Sequence, residues 1–180
     1  MERQKWFVYY VEKDLQVVIK LAVKENIGDI FDLRNDYEVR MNSNNTEEIK
    51  FENHVKWYLK AIEDENKLIL VIKTNDIIDD FIGYIRFDLN IFDAIISIAI
   101  KSEYRNKGLS KIILEKGIEY FKNYIKVIKR KELNRIIAEI KDFNIPSIKL
   151  FEGCGFKFLC LKNIENNEIL KIYSFILKGE

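Results

Sequence analysis

"SEYRNKGLS", Ser102 to Ser110, decides how this 180-residue chain is read. It follows the apolar run "AIISIAI" of Ala94 to Ile100 and precedes an amphipathic repeat that starts at Leu109. The chain has only seven glycines, and one of them, Gly108, stands between the basic run Arg105-Asn106-Lys107 and that repeat. A buried strand, a basic turn with glycine and a helix start together form an arrangement that holds anions. The first N–H groups of a helix have no internal partner and sit at the positive end of its dipole. Gly108 lets the main chain approach a ligand without a Cβ in the way. Arg105 and Lys107 add charge-assisted donors suited to a pyrophosphate. Taken alone, the string serves equally as a tight turn with solvated cations. It is neither a Walker loop nor a dinucleotide fingerprint, because G-x-x-x-x-G-K-[ST] and G-x-G-x-x-G are both absent.

Outward from this turn the chain alternates between two periods. "KLILVIK" (Lys67 to Lys73), "FIGYIRFDL" (Phe81 to Leu89) and "AIISIAI" read as an antiparallel meander. Strict alternation along the second of these puts Phe81, Gly83, Ile85, Phe87 and Leu89 on one face, and Ile82, Tyr84, Arg86 and Asp88 on the other. Before the meander, Val17 to Leu21 reads as a strand. Ile27, Ile30, Phe31 and Arg34 then recur at helical spacing, with Asn26 as N-cap. After the polar turn "NSNNTEE", Phe51, Val55, Tyr58, Leu59 and Ile62 form one stripe of a second helix, with His54 and Trp57 on an adjoining face. Beyond the turn, Leu109, Ile113, Gly117, Phe121 and Tyr124 mark a long amphipathic helix. "RIIAEI" is a strand, "IPSIKLFEGCG" a short helix, and "FKFLCL" with "ILKIYSFIL" a closing hairpin. This order predicts an α/β (α+β) fold: a mixed, mostly antiparallel sheet of six to seven strands with helices on both faces. The chain reads as one domain over residues 1–180. The aromatic "WFVYYV" within residues 1–14 is either an added edge strand or a contact with another subunit.

Composition narrows the function. Thirty Lys and Arg against 29 Asp and Glu leave a net charge of +1, which gives no reason to expect a nucleic-acid groove or an anionic membrane surface. Apolar runs fall short of the roughly 20 residues that span a bilayer, and the opening residues lack a signal-peptide pattern, so a cytoplasmic location is expected. One histidine and two cysteines without a CxxC spacing argue against a metal site or a disulfide framework.

The strand, the R-x-x-G-x-S turn, the helix, and then "NIPSIKLFEGCGF" (Asn144 to Phe156) about thirty-five residues on resemble the two signature segments of the GNAT superfamily of N-acetyltransferases. In that family the turn is [QR]-x-x-G-x-[GA], matched here by Arg105, Gly108 and Ser110. The second segment is N-x-x-[AS]-x-x-[LF]-Y-x-x-x-G-F, matched by Asn144, Ser147, Leu150, Gly155 and Phe156. The resemblance covers roughly Val17 to Leu177. It implies acetyl-CoA as cofactor, with its pyrophosphate on Arg105, Asn106, Lys107, Gly108, Leu109 and Ser110. It implies a pantetheine arm lying as an extra strand beside Ile98, Ala99 and Ile100, between two splayed strands, with Asn144, Ser147 and Phe151 on the far side. A strand N–H near Ile98 to Ile100 would hold the thioester oxygen as it gains charge.

Direct attack by an amine then requires a proton acceptor, since an ammonium cannot attack. Glu139 is the leading candidate, because Ile136, Ala138 and Ile140 form the apolar face of its strand while Glu139 lies on the other with Arg135, Ile137 and Lys141. A solvated or Lys141-paired carboxylate is the competing reading. Ser97 is the second catalytic candidate, with a backbone-bonded core serine as its alternative. The family's usual tyrosine, thought to protonate the leaving thiolate, falls at Phe151, which has no proton to give; Tyr173 or a water could substitute, and a thiol with a pKa of about 8.5 also leaves tolerably as thiolate near neutral pH.

"LRNDYEVRMNSNN" followed by "FENHVKWYLKAI" is similar to a subgroup that acetylates nucleotide-linked amino-deoxy sugars on the route to pseudaminic or legionaminic acid. The matching residues are Arg40, Asn42, Ser43, His54 and Trp57, with Tyr84 and Arg86 facing the same cavity. Trp57 suits a sugar ring or a uracil, and arginine suits a diphosphate. The resemblance thus implies a UDP-linked amino-dideoxy sugar as the amine substrate, and a homodimer fits the N-terminal strand. A protein N-terminal or small-amine acetyltransferase, or a silent CoA-binding module without the acid, is the alternative.

Overall fold

The computed structural model describes residues 7–11, 15–75, 79–164 and 168–177. In chain order the elements are β1 (Phe7–Val11), β2 (Leu15–Leu21), α1 (Ile27–Asn35), α2 (Tyr37–Met41), α3 (Phe51–Ala61), β3 (Lys67–Thr74), β4 (Phe81–Leu89), β5 (Asp93–Ile100), α4 (Leu109–Val127), β6 (Arg135–Lys141), α5 (Ile145–Gly153), β7 (Lys157–Asn163) and β8 (Ile169–Ile176). The strands form one sheet in the order β1-β2-β3-β4-β5-β6-β8-β7, eight rather than six to seven. The additional strand is Phe7–Val11, which pairs antiparallel to β2.

Every neighbouring pair is antiparallel except β5 with β6, which is parallel and joined by the α4 crossover. One face of the sheet is covered by α4 and α5. Leu109, Ile113, Leu114 and Phe121 of α4 and Ile148 and Phe151 of α5 pack there on Val17, Leu70, Ile85, Phe87 and Ile136. Phe121 stacks on Phe87 with centroids 4.2 Å apart and rings 9° from parallel. On the opposite face α1 and α3 bring Ile30, Leu33, Tyr58 and Ala61 against Ile69, Val71, Tyr84 and Ala99. Among the described residues no helix is long and apolar enough to cross a membrane.

Three local readings are corrected by tertiary context. A β-bulge breaks the alternation on β4: Lys73 faces Phe81 and Ile72 faces Gly83, which leaves Ile82 as the extra residue. Phe81 therefore joins Tyr84 on the α1/α3 side, and Ile82 joins the α4 side. The stripe on α3 is rotated as well. Its buried residues are His54, Tyr58 and Ala61, whereas Phe51 and Leu59 are exposed. Asn26 stands at the N-cap position of α1, but its side chain makes no cap bond there; its Oδ1 accepts the Val23 N–H across a short 3₁₀ turn. The first helix also ends at Asp36, whose side chain accepts from Val39 N and starts the separate α2.

The bulge presses Gly83 against β5: a Cβ there would lie 2.2 Å from the Ala99 carbonyl oxygen. Gly28 in α1 has nothing within 4 Å of the equivalent position. Substitution to alanine therefore acts in opposite directions at the two sites. Gly83→Ala should destabilise by about 1–3 kcal/mol, the usual cost of overpacking, and Gly28→Ala should stabilise by about 0.4–1 kcal/mol through the unfolded chain, both read from urea unfolding midpoints.

Candidate active site

The turn from Ser102 to Ser110 reverses the chain at two left-handed residues, Asn106 (φ 58°) and Gly108 (φ 71°). Gly108 is the N-cap of α4 and supplies no side-chain acceptor to the helix. By contrast, Asn144 Oδ1 accepts the Ser147 N–H at 3.2 Å and caps α5. The opening N–H groups of α4 thus face a space that a Cβ on Gly108 would not touch. Leu109 anchors the turn by burying its side chain in the core, so only its backbone is offered. Arg105 buttresses the turn from behind: Nε donates to the Ile100 carbonyl at 2.7 Å, and the guanidinium pairs with Glu38 and, at 3.9 Å, with Asp36. Lys107 extends over the Tyr104 ring, 5.6 Å from its centroid. The cations of the motif therefore differ in role, with Arg105 tied to α2 and Lys107 at the surface.

Beside the turn the sheet opens. β5 and β6 pair from Asp93↔Arg135 to Ile96↔Ala138 and then separate. Both strands continue: Ser97 to Ile100 remain paired to β4, and Glu139 to Lys141 to β8. The facing edges consequently present main-chain groups with no ladder partner, the condition under which an extended ligand adds as a strand. Glu139 is the first β6 residue inside this fork. Its carboxylate, 16% exposed, receives Lys162 Nζ on Oε1 at 2.9 Å and Asn44 Nδ2 on Oε2 at 3.1 Å. Lys141 is not its partner; that buried lysine binds Glu168 at 2.9 Å.

A cavity of about 610 Å³ lies on the α1/α3 side of the sheet. His54, Tyr84, Arg34, Arg86 and Trp57 line it, and the exposed Glu47, Glu48 and Lys50 stand at its rim. Tyr84 and Arg86 pair across the sheet with Ala99 and Ser97, so the cavity borders the β5 residues that enter the fork. Arg86 lies over the Trp57 ring at 5.6 Å. Its Nε is 2.8 Å from Asp88 Oδ2, yet the N–H is not aligned on that oxygen and has no hydrogen-bond partner. Arg34 donates Nη2 to the Asn45 carbonyl at 2.9 Å, while its buried Nη1 has none. His54, 2% exposed, likewise leaves Nε2 without a partner. Burial holds its pKa below 6.5, as does Arg34, against a hydrogen bond to the Ile27 backbone, so the imidazole is neutral at pH 7.

His54, Trp57, Tyr84 and Arg86 thus come together as the sequence suggests, and Ser97 sits beside them. Arg40 and Asn42 serve the local backbone instead. Arg40 donates to the Asn35 and Thr46 carbonyls at 3.1 and 2.8 Å, and Asn42 to that of Glu38 at 2.8 Å. Ile98, Ala99 and Ile100 flank the fork, and Asn144 and Ser147 open α5. Phe151 is buried edge-on to Phe156, centroids 4.9 Å apart. Tyr173, also buried, donates its hydroxyl to Glu152 at 3.0 Å; burial first and then that carboxylate raise its pKa. The sequence reading missed Arg34, Asn44 and Lys162. Only Arg34 left a signal, as a charged residue on the apolar stripe of α1.

The acetyltransferase (GNAT) family is matched over residues 29–156, most of the chain, and the protein belongs to that family. It is an N-acetyltransferase that uses acetyl-CoA. The chain resembles spermidine N-acetyltransferase of Vibrio cholerae, solved in complex with CoA and spermine, with TM-score 0.75 and 18% identity over 89% of this chain and 95% of that one. It also resembles a protein provisionally named a phosphinothricin N-acetyltransferase (TM-score 0.73, 21% identity, 91% and 99% covered). A domain from Methanocaldococcus jannaschii aligns with TM-score 0.69 and 22% identity, over 91% and 99% of the two chains. No curated protein matches the sequence. The residues present fit the cofactor: the glycine-cleared helix start suits a pyrophosphate and the open strand edges an extended amide arm.

Gly108→Trp should fill the space before α4 and lower acetyl-CoA affinity at least tenfold by calorimetry. The left-handed backbone at this position adds a stability loss of about 1–2 kcal/mol, which thermal unfolding followed by circular dichroism would detect. His54 gives a second expectation. Its folded pKa lies below the unfolded 6.5, so the unfolded chain takes up the proton first. Stability is therefore complete above about pH 6.5 and declines as pH falls, by at most about 1.4 kcal/mol per unit. Because His54 is the chain's one histidine, His54→Phe should flatten that part of a denaturation series run from pH 7.5 to 5.5.

Proposed function

We propose that the acceptor is the 4-amino group of a UDP-linked amino-dideoxy sugar. One observation carries this reading: Arg34 brings a buried Nη1 without a hydrogen-bond partner to the cavity, and the guanidinium of Arg86, paired with Asp88, lines the same space. Such donors are costly to leave unsatisfied and favour an anionic oxygen, which a nucleotide diphosphate provides. Trp57 and Tyr84 offer aromatic surface for a sugar ring or a base. A polycation would meet these two guanidinium groups first, and the carboxylates of Glu47 and Glu48 are exposed, where solvent screens them.

Glu139 takes the proton of the incoming ammonium just inside the point where the strands part, directly or through a water. Ser97, across from Arg86, contacts the acceptor or relays that proton. The β5 edge from Ile98 to Ile100 provides an N–H for the oxygen that gains charge. When bound, acetyl-CoA supplies the thioester that the neutral amine attacks. Phe151 places no acid there, and none is required for a leaving group whose thiol has a pKa of about 8.5. The same proposal includes a single catalytic domain over residues 1–180, a cytoplasmic location and a homodimer, the last favoured by exposed Phe158, Leu159 and Leu161 on edge strand β7.

The rim carboxylates favour a second reading, a small cationic amine. A panel of a UDP-linked 4-amino-4,6-dideoxy sugar, spermidine and a peptide with a free N-terminus separates the readings by thiol release from acetyl-CoA. The nucleotide sugar should react fastest, and Arg34→Met should raise its KM about ten- to a hundredfold, the worth of a hydrogen bond to a charged group. Faster turnover of spermidine, or an unchanged KM, would remove the sugar reading. Glu139→Gln should cut kcat about 10²- to 10⁴-fold while leaving acetyl-CoA affinity as in the wild type.

A further inference from the structure

We infer that Lys162 occupies, in the free enzyme, the place of the acceptor's ammonium on Glu139; the inference rests on Glu139 as the proton acceptor proposed above. Glu139 is largely buried, and each of its oxygens has one donor, Lys162 Nζ at 2.9 Å and Asn44 Nδ2 at 3.1 Å. Both donors come from far along the chain, 95 and 23 residues from Glu139. Asn44 lies in the connection between α2 and α3, next to Asn45 of the cavity wall. Lys162 lies on β7, the outermost strand, and is 53% exposed.

The path of Lys162 is informative. β8 separates β7 from β6, and Lys162 pairs with Leu170 while Glu139 pairs with Ile172. The lysine stem therefore crosses β8 diagonally to reach the fork, over the apolar cluster of Ile137, Leu170 and Ile172. A long side chain stretched in this way loses rotamer freedom for a half-exposed ion pair that returns little stability. What the contact does accomplish is local. A carboxylate with little access to water needs a donor on each oxygen, and a primary ammonium is the partner whose chemistry its substrate shares. An incoming ammonium replaces Lys162 like for like. Lys162 then swings into solvent, the substrate proton passes to the carboxylate, and after product leaves and the proton is lost to water Lys162 returns. Lys162 is thus a positioning residue that competes with the acceptor.

Competition makes a directional prediction that a structural role does not. Lys162→Met should lower KM for the amine roughly two- to fivefold, the scale of a half-exposed ion pair, with kcat within twofold and KM for acetyl-CoA unchanged. Lys162→Arg should retain wild-type constants or raise the amine KM. The probe is the UDP-linked 4-amino-4,6-dideoxy sugar, or spermidine if that is the faster substrate. In a Glu139→Gln background, Lys162→Met should no longer alter the amine KM. A slow Glu139→Gln enzyme together with an unchanged or raised KM in Lys162→Met overturns the inference alone. Wild-type turnover of Glu139→Gln removes the carboxylate from the reaction, and the inference with it.

Discussion

The parting of β5 from β6 after Ile96 and Ala138 is the constraint on which the rest of the structure depends. A parallel pair cannot be joined by a tight hairpin, so a crossover helix must lead from one strand to the other. That helix, α4, starts at the open end of the fork, which places its unpartnered N–H groups beside the unpaired strand edges. The two kinds of unsatisfied backbone, helix start and strand edge, lie side by side as a consequence of topology. Orphan backbone groups are tolerated where a ligand or water completes them.

The surrounding packing keeps the fork open. β5 stays bound to β4 through Ile100, with Gly83 lying close against its main chain, and β6 stays bound to β8 through Lys141. Each strand is thus held from its outer side, and the gap is built into the pairing of the sheet. Arg105 reinforces it by linking the Ile100 carbonyl to the acidic residues of α2. The same arginine joins the anion turn to the cavity side, since α2 precedes the loop that carries Asn44 and Asn45. Cofactor turn, fork and cavity therefore share supports.

Electrostatics divides the site into two regions. The cavity holds two guanidinium groups, of which Arg34 keeps a buried donor without a hydrogen-bond partner, and a histidine kept neutral by burial, and the fork holds a carboxylate with two donors. A substrate with an anionic part and an amine fits this division. The uncharged His54 Nε2 adds a polar contact without adding to the positive potential around Arg34 and Arg86.

The sequence alone determined the elements that depend on local chemistry: the apolar strands, the glycine turn and the amphipathic α4 each rest on residues within a turn or two of one another. It also grouped His54, Trp57, Tyr84 and Arg86 through the resemblance to enzymes of amino sugars, and periodicity set His54 with Trp57 on α3 and Tyr84 with Arg86 on β4. Contacts across many residues were out of its reach. The bulge that turns Phe81 over arises from registering β4 on β3, and the buried stripe of α3 is selected by what β3 and β4 present to it. Glu139 meets Asn44, 95 residues away, and Lys162 from the sheet edge, since strand order brings them together, whereas Lys141, near in sequence, is drawn to Glu168. Periodicity reports which side chains can share a face; only the closed sheet decides which way that face turns and which side chains it meets.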